Sequence, residues 1–164
     1  MARIDDLLPD PPPELGPGSR PGAFSERAVM AAVTPFVSGL APGRADALTA
    51  CALLWHDHLD AAHRLVQRHE GDRDADCIHA IMHRREPDEG NSRYWWRRVG
   101  THPVADELAQ LANGLGLGGS LAPGGVFSPA AMATACVRGG SGSTELRTLQ
   151  AHELRLLARH LLAP

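Results

Sequence analysis

The chain of 164 residues has no lysine, and all 16 of its basic residues are arginine. Schiff-base chemistry and a lysine nucleophile are thereby excluded. Cysteine is also sparse: Cys51, Cys77 and Cys136 are widely spaced, with no CxxC pair. Such an odd, scattered set argues against a disulfide framework and a cysteine-rich zinc site, and it fits a reduced, cytoplasmic setting. No apolar run approaches the roughly 18–20 residues that a membrane helix needs. The opening Met-Ala-Arg-Ile-Asp-Asp puts acids where a signal peptide carries its apolar segment. A soluble protein is expected, with no membrane partner. Charge of one sign is not in excess either. A net charge of −3 provides no basic field, so nucleic acid is not favoured as a partner.

Histidine is what the chain has in quantity. There are nine, against three phenylalanines, and seven of them fall between His56 and His102. That crowding makes imidazole chemistry the first hypothesis to test.

The length suits one domain with a modest core. Six prolines between Pro9 and Pro21 forbid a helix or a central strand there, so residues 1–22 read as an extended or disordered arm. Residues 23–164 read as an all-α domain. Ser25 is an N-cap candidate for a helix that Pro35 limits. Trp55, Leu59, Ala62 and Val66 recur at helical spacing, and strand-like alternation is absent. A short helix is expected over Val104–Asn113, then a glycine-rich loop from Leu115 to Val126. Ser128-Pro129 opens a helix stopping at Gly139-Gly140, and Ser141-Gly-Ser reads as a linker. The last helix spans Thr144–Leu162, with Leu146, Leu149, Leu154, Leu157 and Leu161 toward the core.

An internal similarity runs through the middle of the chain. His56-Asp57-His58-Leu59-Asp60-Ala61 overlays Pro87-Asp88-Glu89-Gly90-Asn91-Ser92. Each copy has an Asp at a candidate N-cap and a small residue four positions on, where a second helix can approach closely. In this respect the segment resembles tetratricopeptide-type helical hairpins, although His56 and Pro87 stand in place of the turn glycine. The resemblance implies antiparallel helical hairpins forming a compact array or bundle, of a kind that usually serves as a binding scaffold. The run His79-Ala-Ile-Met-His83-Arg-Arg-Glu-Pro-Asp, with Tyr94-Trp-Trp-Arg-Arg-Val-Gly, also resembles a signature of a bacterial and fungal protein group. That second resemblance implies no activity.

His79 and His83 are four apart and share one helix face, and Glu86 projects the same way. Ile78, Ile81 and Met82 take the other side, so the polar triplet is expected away from the main apolar stripe. Ala80 occupies the glutamate position of His-Glu-x-x-His, which removes the zincin protease reading. On the preceding helix His56, Asp60 and His63 form an i, i+4, i+7 row if the helix is continuous through Asp57, although Asp57 itself reads as a cap. Together the two rows supply metal candidates His56, Asp60, His63, His79 and His83, and acid–base candidates His63, His79, His83 and Glu86. Zinc, iron, manganese and nickel all suit such a set. Arg85, Arg98, Tyr94 and Trp95 are the substrate-binding candidates, an arginine clamp for a small anionic molecule. The glycine-rich loop lacks GxGxxG and a P-loop lysine, so no nucleotide cofactor is expected, and no Gly-x-Ser-x-Gly elbow occurs. His152 and His160, and the loop-side His69 and His102, are given no chemical role, and His58 stays ambiguous.

The expectation is therefore a small helical enzyme performing metal-assisted or acid–base hydrolysis, elimination or isomerisation. A non-enzymatic helical-repeat interaction module and a metal-buffering protein are the alternatives, and a homodimer is open.

Overall fold

Five helix starts are closed by the side chain that precedes them. Ser25, Asp72, Asp88, Ser128 and Ser143 each accept a backbone N–H from the first turn of the helix they open. These caps satisfy donors that a helix leaves orphaned. The structure is a computed structural model and describes residues 3–139 and 142–164. Gly140 and Ser141, read above as a helix stop and a linker, lie outside the described residues. Among those described, every regular element is helical: α1 (Ile4–Leu7), α2 (Glu26–Val37), α3 (Pro42–Trp55), α4 (Leu59–Val66), α5 (Arg73–Arg85), α6 (Glu89–Val99), α7 (Ala105–Gly114), α8 (Gly118–Leu121), α9 (Pro129–Arg138) and α10 (Thr144–Leu162). No helix of the described residues is long and apolar enough to cross a membrane.

The fold is all-α. Helix α3 is its axis, buried at every position from Ala47 to Trp55. Around it pack α2, α4, α5 and α10. A second apolar cluster joins α7, α8 and α9 to the first half of α10 through Leu108, Met132, Leu146 and Leu149. Farther along α10, Leu154, Leu157 and Leu161 enter the main core, so one helix ties the two clusters together. Helices α3–α4 and α5–α6 pack side by side, each pair across a short turn, and α4 also touches α5. At the small position of the second pair, Ser92 Oγ donates to the Ala80 carbonyl at 2.8 Å. The glycine-rich loop carries the short α8 and a 3-10 turn at Pro123–Gly125.

The proline-rich segment packs against the body. Its carbonyls accept from α10: Arg155 reaches Leu8, Arg147 reaches Pro12 and Pro13, and Gln150 reaches Glu14. Trp55 Nε1 donates to Pro9 at 2.9 Å. Prolines offer no N–H for a ladder, so side-chain donors satisfy these carbonyls instead.

Two sequence expectations change here. Asp57 does not cap α4, whose N-cap is His58. Asp57 instead sits in the left-handed region at φ 68° and accepts from two arginines. His79 and His83, expected away from the apolar stripe of their helix, are buried as well. Helix α5 is buried all round from Ala75 to Arg85, because α4, α6 and α9 surround it.

Candidate metal centre

Helix periodicity places His79 one turn before His83 on α5, and their rings stack with centroids 5.0 Å apart. Helix α4 brings in the His63 ring, 4.7 Å from that of His79 and 5.4 Å from that of His83. One ring nitrogen from each of the three lies within 4.8 Å of the others. Behind His79, the Trp95 ring of α6 stacks at 3.8 Å.

The hydrogen bonding of this cluster is incomplete in an informative way. Both ring nitrogens of His79 are buried and neither has a partner. A buried polar atom in that state costs about 1–3 kcal/mol. His83 is different. Its Nδ1 lies 2.8 Å from Glu86 Oε2, at the C-terminal end of α5. A proton on Nδ1, donated to that carboxylate, leaves the Nε2 lone pair free. Metal-ligating histidines are commonly held in this carboxylate-oriented state.

Electrostatics keep His79 neutral. Burial, then the neighbouring His63 and His83, then the Arg98 guanidinium lower its pKa to about 3, against an ordinary 6.5. A neutral imidazole has a lone pair to give. The unfolded chain takes up this proton near pH 6.5 and the folded one only near pH 3. Between those values the unfolded state binds more protons, so stability must fall as pH falls. Urea titrations of the metal-free protein should show a loss of about 1.4 kcal/mol per pH unit from this group, starting below pH 6.5. His79→Gln should flatten that slope; an unchanged slope would place the acid sensitivity elsewhere.

Other predicted site residues go elsewhere. His56 ends α3 rather than joining α4, because the turn at Asp57–His58 breaks the proposed row. Its Nδ1 accepts the Phe24 N–H at 3.1 Å, so the proton sits on Nε2, which donates to the Leu7 carbonyl at 3.0 Å. With both nitrogens used, His56 fastens the N-terminal segment and is no ligand. Asp60 is exposed in the first turn of α4, where the helix dipole favours an acid, and does not join the cluster. Arg85 is no substrate clamp. Its fully buried guanidinium donates to Asp57 at 2.7 Å, to Gly16 at 3.0 Å and to the Leu54 carbonyl. Trp95 is a wall of the cluster and is largely buried.

Arg98 and Tyr94 do stand at its edge. The Arg98 guanidinium lies 4.9 Å over the Trp95 ring, with Nε bonded to Asp76 at 3.3 Å and Nη1 to the Tyr94 hydroxyl at 3.3 Å. The three cysteines are free and buried, and burial pushes the Cys51 thiol up to about 12, so it is inert.

A second histidine group escaped the sequence reading. Asp74 Oδ1 lies 2.9 Å from His102 Nε2 and 3.1 Å from His160 Nε2. These residues come from the start of α5, the turn before α7 and the last turns of α10. No spacing rule links three such segments. Burial alone would raise the Asp74 pKa, but the His102 hydrogen bond and the neighbouring His160, His102 and Arg44 hold it below the ordinary value. His102 Nδ1 accepts the Val104 N–H at 3.3 Å, so the His102 proton resides on Nε2 and points at Asp74. That lone pair is already used. This group clamps three helix ends, whereas the His79 nitrogens are unclaimed.

No family model matches the chain, and neither a curated protein nor a solved structure matches it.

Proposed function

We propose that His63, His79 and His83 bind one divalent transition-metal ion, with Glu86 orienting His83, and that the protein is a small metal-dependent hydrolytic enzyme. The observation carrying this reading is His79: buried, held neutral, flanked by two imidazoles, and unpartnered at both nitrogens. A satisfied core histidine has no reason to be left in that state. The donor set is three imidazoles with no thiolate, which suits zinc, copper, iron or nickel better than manganese. Zinc is favoured, since three protein nitrogens are a ligand set that catalytic zinc uses. Bound there, the ion would supply Lewis acidity. Arg98 and Tyr94 at the rim offer a charge and a hydroxyl to a small anionic substrate. A helical-repeat interaction module gives no reason for histidines to converge, and a loose metal buffer gives no reason for an oriented Glu86–His83 pair.

Untagged protein, stripped of metal and titrated with zinc, should take up a single equivalent. The cobalt-substituted form should show the intense visible absorption of a four-coordinate ion. His63→Ala and His83→Ala should abolish both signals, and Glu86→Gln should weaken zinc about 10- to 100-fold. Uptake of several weak equivalents, unchanged in the His83 variant, would establish the buffering alternative instead.

A further inference from the structure

Trp95 and Trp96 are neighbours on α6, about 100° apart around the helix. Trp95 faces the imidazoles, while Trp96 lines two connected spaces between α6, α7 and the start of α9. One is a partly open chamber of about 100 Å³, walled by Trp96, Val104, Leu108 and Phe127 and bordered by Thr101 and His102. The other is an open groove of about 420 Å³ whose rim carries Arg93 and Arg97. Trp96, Gly100, Val126, Phe127 and Pro129 border both, so the groove is the mouth of the chamber.

We propose that this cleft binds a small monocarboxylate bearing a single aromatic ring, with the ring in the chamber and the carboxylate on Arg97. Four observations carry the assignment. An apolar cavity of roughly 150 Å³ accepts benzene, so a ring would fill the chamber of about 100 Å³ and extend into its mouth. The walls are aromatic and aliphatic, as small-molecule sites generally are. At the lip Val126 is 71% exposed, an unusual position for a large apolar side chain with nothing covering it. Arg97 stands on the rim of the groove, where a carboxylate can meet it.

Charge fixes the orientation. Arg93 is engaged by Glu89 and Thr134. Arg97 has no ion pair or side-chain hydrogen bond among the described residues and can grip a carboxylate with its fork. The chamber is bordered instead by Asp106 and Glu153. Glu153 is neutralised by Arg84 at 2.5 Å, but neither acid welcomes a second anion. The carboxylate must therefore face outward. The proposal uses none of the metal ligands, and its failure would leave the zinc reading untouched.

Calorimetric titration of the full chain with phenylacetate, and with phenylacetamide as its neutral counterpart, tests the assignment. Phenylacetate should bind saturably and at least tenfold more tightly than the amide. Arg97→Gln should erase that difference while leaving the amide's affinity unchanged. Val126→Asp, at an exposed position that leaves the fold intact, should weaken phenylacetate at least tenfold by repulsion. Equal affinity for acid and amide, a preference that survives Arg97→Gln, or no saturable binding of either probe would overturn the proposal.

Discussion

The His79→Leu protein, free of metal, should be more stable than the metal-free wild type and should bind no zinc. Two buried ring nitrogens without partners are a standing cost of about 1–3 kcal/mol each. Leucine removes both, keeps an apolar surface against Trp95, and is close enough in volume to avoid a large void. Some stacking is lost, so the net gain expected at pH 7.5 is about 1–3 kcal/mol. At pH 5 the gain should be larger, because the wild type also forgoes a proton that its unfolded chain takes up. Saturating zinc should reverse the order, since only the wild type gains binding free energy on folding. Urea midpoints at both pH values, with and without zinc, check all three parts. Lower stability of the leucine variant at both pH values would mean that His79 is retained for packing. A residue that weakens the fold and is needed for a ligand is the ordinary signature of function over stability.

His83→Leu should behave in the opposite way. Its Nδ1 is satisfied by Glu86 and neither of its nitrogens is buried without a partner, so its removal forfeits a bond and relieves no cost. The two histidines are one turn apart on one helix, yet their substitutions should differ in sign.

That contrast marks what spacing along the chain can and cannot convey. The i, i+4 pair and Glu86 follow from helix periodicity alone, and His63 joins them because consecutive hairpins pack side by side. His56 has the same spacing to Asp60 on paper, but a single left-handed residue, Asp57, breaks the helix between them. The helix starts at Ser25, Asp88 and Ser128 are readable from their caps, which act within one turn, whereas Asp57 has the residue type of a cap and does not serve as one. Partners far apart in the chain are not readable in this way. Arg84 and Arg85 look like part of a solvated charge run, but both are fully buried because Glu153 and Asp57 meet them, 69 and 28 positions away. The same holds for Asp74, His102 and His160. Local periodicity predicts which side chains share a face; it does not reveal what the rest of the chain brings against that face.

Asp57→Ala is expected to be among the most destabilising single substitutions in the molecule, at about 3–5 kcal/mol. Its carboxylate accepts Arg85 at 2.7 Å on one oxygen, and the Arg20 side chain at 2.9 Å and Arg20 N–H at 3.1 Å on the other. Alanine leaves the fully buried Arg85 charge with carbonyl partners only, and uncompensated buried charge is what makes breaking such a pair expensive. It also forces a Cβ-bearing residue with no local hydrogen bond to stay at φ 68°. Asp57→Asn separates the two effects, because asparagine tolerates the left-handed region and keeps one acceptor. It should lose less than alanine. Arg85→Met should lose less again, because Asp57 keeps Arg20 and a buried charge leaves with its side chain. Urea denaturation ranks the three, and amide exchange at Arg20 reads the same contact locally, with protection falling in both Asp57 variants and surviving in Arg85→Met. A cost below about 1 kcal/mol for Asp57→Ala would put the pair in the class of solvated surface bridges. Zinc affinity should not follow that order, and should fall furthest in Arg85→Met. Arg85 bonds the end of α5 to the Leu54 carbonyl of α3, and it lies between His83 and Glu86, whose alignment that anchor maintains.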